Sequence, residues 1–521
     1  LNPTLGWLAQ SIPVFVNEND TCNAFSNGDD IHFFRKSGQC ENTGRIADVV
    51  YHEFGHSLHA NSIIEGVGNF DGGLSEGISD VLAMAITGDP GMGRGFFFTN
   101  TPLRNLDGTK RWPEDATGEP HDDGEIIGET FYDLRKNLEA KLGADAGYEK
   151  FLVLMYSAFQ RASDIPSSYS EALLADDDDG DLANGTPNTC EINAAFGKHG
   201  LADPSLTLGI ALPTRDNFDI SVQASAPSTA VACPGTATVT GASITWNLRG
   251  GAGGTVEMVK SGETFDGTIP TQSNGSVVQY KVTLTLSDAS TISYPQNPAD
   301  QSYEFFVGDV EPIKCFSFDS GGLDGWTVSS NQWEVGAPHG LSTDPKEAFA
   351  GTGVMGIDLS ADGSYDPDST QFAESPEIDL KGATKVRLQY RRWLGVEDGF
   401  YDQARILANG TEVWSNFKSA TDPQTGGINH TDREWRFQDV DLATQAASGK
   451  VKLRFELASD QGLEFGGWTM DDVCIVAFTG NGPGDDGDGD GGCCSTGGDS
   501  RAPIVLGLMT LGLVVLRRRR K

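Results

Sequence analysis

The spacing of apolar and polar positions changes character twice along this chain. Residues 1–203 mix strand-like and helix-like patterns. The apolar run IADVVY leads into HEFGHSLH, and GGLSEGISDVLAMAI (72–86) predicts a second helix after a Gly-rich entry. Ile126, Ile127, Phe131 and Leu134 fall at helical spacing and predict a third. From 204 to 312 helical periodicity fades. Short alternating stretches replace it (Thr236–Val239, Ser243–Asn247, Val277–Leu286 and Tyr303–Val307), separated by Gly, Ser, Asn and Pro. That pattern predicts an all-β sandwich. Residues 313–478 are again β-type, with longer stretches and many Trp, and predict a jelly-roll sandwich. A Gly/Asp-rich linker (479–500) follows, then an apolar tail with an Arg cluster (501–521). The expected fold is therefore multidomain: an α+β unit, two all-β units, a linker and a hydrophobic helix.

Charge and composition narrow the partners. The chain has 521 residues, with 74 acidic and 37 basic ones, for a net charge of −37. A body this acidic repels phosphate backbones, which excludes nucleic acid as a partner. The 65 glycines suit turn-rich β modules, and the 8 cysteines suit an oxidising, extracellular compartment. Cys22 and Cys40 flank a predicted hairpin and are expected to pair. Cys315 and Cys474 bracket the jelly roll and are a second expected pair, which leaves Cys190 and Cys233 by elimination. The start at Leu1 reads as a cut, with any signal peptide and pro-segment missing. The apolar run Ala502–Leu516 is shorter than the roughly 20 residues of a full span, although flanking Arg side chains can snorkel.

The strongest chemical signal is YHEFGHSLH (51–59). On a helix, His52 and His56 lie four apart on one face and can reach a single metal. Glu53 stands beside them without being a ligand. Glu76, twenty residues after His56, supplies a third ligand, and Asp80, four further on, faces the same way. Catalytic zinc takes three protein ligands and keeps one position open. Asp80 is placed to accept the free ring N–H of a ligand His. His59, three after His56, would close the open position as a fourth ligand and reads as flanking structure.

These residues resemble the gluzincin metalloproteases, in particular thermolysin-like and fungalysin-like endopeptidases. Asn23-Ala24-Phe25 with Asn27-Gly28 resembles that family's edge strand, which implies that Asn23 and Ala24 hold an extended peptide substrate by strand pairing. PLRNLDG (102–108) resembles the family's Leu-Arg segment and implies that Arg104 orients the substrate carbonyl; Arg94 and Arg111 are weaker candidates. GEPHDDGEIIGETFYDLRK (118–136) places His121 just before a helix, as the family places its oxyanion-stabilising His, with Glu119 or Asp115 as its anchor. The resemblance implies a zinc endopeptidase in which zinc activates water, Glu53 is the general base and His121 stabilises the oxyanion. The chain departs from the pattern where relatives carry a Tyr: Val67 stands there, and Phe70 is the nearest aromatic. Asp48 matches a family calcium ligand, but acidic partners after Asp80 are not evident.

Weaker signals complete the picture. DDDDGDLANGTPNTC (176–190) is oxygen-rich, and Asp177, Asp179 and Asp181 are candidate calcium ligands, with a solvated acidic turn as the alternative. Residues 204–312 resemble Ig or fibronectin-III modules. FDSGGLDGWTVSSNQWEVGAP (318–338) resembles the jelly-roll modules of secreted metalloproteases, within the MAM and lectin-like group. Its Trp residues serve either core packing or a glycan ligand. Cys493-Cys494, the apolar run and RRRRK resemble the MYXO-CTERM type of sorting tail. That implies transient membrane retention and processing by C-terminal sorting machinery, with a surface-displayed or secreted product, or else a retained transmembrane anchor. Peptide or protein substrates are the expected partners. The competing functions are a surface adhesin with a residual protease domain and a gluzincin aminopeptidase, whose GxMEN-type loop is not found before His52.

Overall fold

The computed structural model describes residues 5–64, 67, 70–202, 208–224, 233, 237–360, 363–423 and 427–480. The linker beyond 480, Cys493, Cys494 and the apolar tail lie outside these residues. Among the described residues no helix is long and apolar enough to cross a membrane.

The first unit sets a small sheet beside a helical core. Strands β1 (Val14–Glu18), β2 (Ala24–Ser26) and β3 (Ile31–Phe34) are ordered β1-β3-β2, so β2 is an edge. Among the described residues the helices α1 (Ala47–Ser62), α2 (Gly72–Thr87), α3 (Pro120–Leu142), α4 (Ala144–Arg161), α5 (Ser168–Asp176) and α6 (Thr189–Lys198) follow. Their limits follow local chemistry. Asp71 caps α2 by accepting Leu74 N–H at 2.5 Å, and Gly88 closes it in the left-handed region at φ 75°. Glu119 caps α3, with Pro120 in its first turn. Ile126, Ile127, Phe131, Leu134 and Leu138 form the buried stripe of α3 against α2 and α4. Where α2 and α3 cross, glycines meet. A Cβ on Gly77 would sit 1.9 Å from Ile127 Cγ2 and 2.3 Å from Gly124 O. Only glycine allows that approach, and it brings Glu76 up against α3. Between these helices, β4 (Gly91–Met92) pairs with β5 (Arg104–Asn105) and carries Arg104 back to α2.

Two sheets build the second unit. One joins Thr214–Asp216, Asp219–Gln223, Val259–Ser261 and Thr264–Thr268; the other joins Val239–Leu248, Gly253–Glu257, Val277–Leu286, Thr291–Tyr294 and Tyr303–Phe306. Their inward residues, including Ile220, Val222, Ile244, Phe265, Val282 and Leu284, form one core. The separate strands expected at Thr236–Val239 and Ser243–Asn247 are instead one strand from Val239 to Leu248, with Thr236 outside the described residues. Alternation is local, and it does not show that consecutive stretches share one ladder.

The third unit packs a seven-stranded sheet on a five-stranded one. Its first strand, Val310–Phe316, pairs with its last, Gly467–Phe478, so this unit starts three residues before the limit read from sequence. Trp326, Trp333 and Trp468 are buried in its core. Trp393 and Trp435 are half-buried and lie edge to face at 5.9 Å. The disulfides Cys22–Cys40, Cys190–Cys233 and Cys315–Cys474 are the three pairings expected.

The third unit contacts both other units. Asn429 Nδ2 donates to Ala116 O at 3.2 Å, and Arg433 Nη2 donates to Trp112 O at 2.7 Å and to Glu114 at 3.1 Å. Toward the second unit, the fully buried Arg392 donates to Asp432 at 2.8 Å and to Asp300 at 2.6 Å. Asn297 also donates to Asp432, at 2.8 Å.

Candidate metal centre

Two helices and a crossing glycine pair converge on one point. The i, i+4 spacing of α1 aims His52 and His56 at α2, and Gly55 lets the helices close: a Cβ there would lie 2.7 Å from the Ser79 backbone. The Nε2 atoms of His52 and His56 face each other at 3.1 Å. Glu76 brings its carboxylate to 3.1 Å from His52 Nε2 and 3.5 Å from His56 Nε2. One donor atom from each of these three residues lies within 4.8 Å of the others.

The outer nitrogens of both rings are engaged. His52 Nδ1 meets Asp80 Oδ1 at 2.6 Å, and His56 Nδ1 meets Ser75 Oγ at 2.9 Å. These contacts leave the two Nε2 atoms for a metal. Glu76 Oε2 is buried and aligned for a hydrogen bond with no described residue. Two imidazole nitrogens and a carboxylate oxygen, converging with one orphaned acceptor, fit a zinc ion.

The electrostatics agree. Burial alone would lower His52, but the Asp80 charge and hydrogen bond, helped by Glu76, lift it to about 10. Burial works against the charge of Glu76, yet its contacts with His52 and His56 hold its carboxyl far below the usual range. Asp80 is likewise held low, against burial, by Arg104 and His52. A proton bound on His52 therefore competes with metal, and metal affinity must fall in acid. Glu53 differs. It is 5% exposed, its carboxylate accepts no hydrogen bond among the described residues, and burial raises its pKa.

His121 sits at the start of α3 with its Nε2 3.4 Å from Glu76 Oε2. Glu119, not Asp115, holds its Nδ1, at 2.7 Å. Asp115 instead accepts Arg111 N–H at 2.8 Å. Arg104 donates Nε and Nη2 to the two oxygens of Asp80 at 2.7 and 2.8 Å, while its Nη1 takes no partner among the described residues. Its first task is thus to hold Asp80, which the sequence did not signal. Arg104→Ala is expected to weaken zinc binding about 10–100-fold, as loss of a group behind a ligand does. Competition with a zinc-binding dye measures it, and unchanged affinity would rule out that task.

Asn23 and Ala24 lie at the open edge of the sheet, and Ser26 Oγ ties β2 to Ser57 of α1 at 2.8 Å. His59 is 0% exposed, without a hydrogen-bond partner among the described residues, and packs on Phe70 at 4.0 Å. Burial drives it down to about 3, so it is a neutral packing residue. Phe70 thereby faces His59.

No family model matches the chain. Bacillopeptidase F of Bacillus subtilis is 29% identical over 154 residues, 29% of this chain and 10% of that protein. The chain spans about a tenth of the length of that curated relative. Among solved structures, the precursor of protealysin, a metalloproteinase from Serratia proteamaculans, is similar over 34% of this chain and 65% of its own, at 18% identity and a TM-score of 0.27. Carbohydrate-binding modules from the β-sandwich superfamily are similar over 51% of this chain and 93% of theirs, at 15% identity and a TM-score of 0.22.

Other candidate residues fall elsewhere. In the acidic loop the structure gathers Asp177, Asp178 and Asp179, and not Asp181. The turn at Gly180 (φ 84°) directs Asp181 N–H to Asp179 Oδ1 at 3.0 Å. Asp48 accepts Gly93 N–H at 2.8 Å and fastens α1 to the β4 turn. Arg94 pairs with Asp89 at 2.7 Å and Arg111 caps α6 through Lys198 O, so neither faces the centre.

Proposed function

We propose that the first unit is a zinc endopeptidase, acting outside the cell on peptide or protein substrates. The convergence of His52, His56 and Glu76, with Asp80 and Arg104 stacked behind them, supports this reading above all else. Zinc held by these three residues would supply a Lewis acid that polarises water and the scissile carbonyl. The remaining chemistry belongs to the chain. Glu53 takes the proton of the attacking water at its carboxylate and returns it to the leaving amine nitrogen. His121 donates from Nε2 to the oxygen that gains charge, anchored through Nδ1 by Glu119. The open edge at Asn23 and Ala24 pairs with the substrate backbone, which gives affinity with little sequence demand. Arg104 Nη1 is free to reach the substrate carbonyl while the rest of its guanidinium holds Asp80.

The β units extend this reading. The half-buried pair Trp393 and Trp435 offers aromatic faces to a glycan, whereas Trp326, Trp333 and Trp468 serve the core. The C-terminal tail is proposed to retain the protein at a membrane before sorting and processing.

Zinc removal tests the catalytic claim. Hydrolysis of a denatured-protein substrate is expected to stop in a zinc chelator and return with one equivalent of zinc. Activity that survives complete loss of zinc, shown by elemental analysis, would overturn it.

A further inference from the structure

The third unit carries a second cluster of metal-type donors, unrelated to the zinc constellation. Three strand ends supply it. Glu397 follows the strand Val386–Val396, Asp402 precedes Gln403–Ala408, and Asp460 follows Leu453–Ala458. One oxygen from each lies within 4.8 Å of the others.

Glu397 is the decisive residue. It is 8% exposed, yet among the described residues its carboxylate accepts no hydrogen bond and meets no Lys, Arg or His. A buried carboxylate in that state is costly unless something supplies positive charge. Its neighbours make matters worse, because Asp402, Asp460, Asp398 and Glu464 are all acidic. Burial and these charges push Glu397 up to about 9, and burial raises Asp402 to about 6. Asp402 is fully buried and already oriented: Tyr365 Oη donates to its Oδ2 at 2.5 Å and Asp460 N–H to its Oδ1 at 2.9 Å. Asp460 is exposed and gives an entry path from solvent.

We propose that Glu397, Asp402 and Asp460 bind a calcium ion in the jelly roll. The donor set is all carboxylate oxygen, without His or Cys, which favours a hard cation over zinc. Ligands from separate strand ends suit the larger and less strict coordination shell of calcium better than the octahedron of magnesium. The site has a mechanical consequence. The loop that carries Asp460 continues to Leu463 and Phe465, which pack on the first unit. A Cβ on Gly118 would meet Leu463 at 2.7 Å, and Phe465 lies edge-on to Trp112 at 6.3 Å. Gly118 directly precedes the segment that carries Glu119 and His121. Calcium would therefore fix the loop on which that segment leans. The proposal itself does not rest on the protease reading.

Calcium binding to the zinc-loaded full chain tests it, with calcium chloride as the probe. Equilibrium dialysis of the wild type, Glu397→Gln and Asp460→Asn is compared, with calcium-dependent thermal midpoints beside it. We expect the wild type to bind one more calcium than Glu397→Gln, and Asp460→Asn to hold that ion roughly tenfold or more weakly. The calcium-induced rise in midpoint should shrink in both variants, while zinc content stays constant. Equal calcium stoichiometry and equal midpoint shifts in all three proteins would overturn the site. If Glu397→Gln does not fold, Asp460→Asn decides alone, because its side chain is exposed and its loss leaves the core intact.

Discussion

Glu53→Ala is expected to retain its zinc and lose hydrolysis, with kcat falling about 10²–10⁴-fold, the usual contribution of a positioned general base. The reason lies in the division of labour on α1. His52 and His56 point their Nε2 atoms at Glu76, while the carboxylate of Glu53, between them in sequence, accepts no hydrogen bond among the described residues. Removing it takes away a proton acceptor and no ligand. His121→Ala should cost less, about 10²–10³-fold, as loss of one oxyanion donor does. A quenched-fluorescent peptide assay with elemental analysis of the same samples measures both. A zinc-loaded Glu53→Ala protein that cleaves at the wild-type rate would remove Glu53 as the base.

The second large effect is structural. Asp432 is fully buried and serves Arg392, Asn297 and, at 3.6 Å, Arg436. Burial opposes its charge, but Arg392 and His430 hold its carboxyl well below the usual range. Asp432→Ala leaves two fully buried guanidiniums sharing Asp300, which breaks a buried network from one side. Such a loss costs about 3–5 kcal/mol. A depressed carboxyl contributes stability above its unfolded pKa and loses it as pH falls through the folded value. The wild-type advantage should therefore be full at neutral pH and shrink only in strong acid. Chemical denaturation of both proteins, followed by tryptophan fluorescence, measures this. Equal midpoints at pH 7 would show that the network carries no net stability.

What could be read in the sequence depended on how local each signal was. His52 with His56 and Glu76 with Asp80 were legible because i, i+4 spacing puts each pair on one helix face, while Glu53 and the joining of the two pairs were read from the HExxH pattern and the ligand count of zinc. Asn23 and Ala24 were readable as an edge only through the resemblance of Asn23-Ala24-Phe25 and Asn27-Gly28 to the gluzincin edge strand, since an Asn-Gly by itself reads as a turn. Arg104 was visible as a residue, but its hold on Asp80 depends on β4 and β5 reversing the chain, which no periodicity encodes. Asp181 lies apart from the group Asp177, Asp178 and Asp179, past Gly180 in the left-handed region, a turn that spacing along the sequence does not encode. Glu397, Asp402 and Asp460 were invisible, since they lie on strand ends that only the sheet order brings together. The pairing of Val310–Phe316 with the last strand of the third unit was unreadable for the same reason.

The Cys190–Cys233 bond changes what cleavage between the first two units can achieve. It joins α6 to the second unit across 43 residues of sequence. A single cut anywhere between those cysteines severs the chain without separating the pieces. The first unit and the β units stay covalently tied until the bond is reduced. Release of the first unit therefore needs two events, a nick and a thiol exchange, and a chain nicked there once remains one molecule.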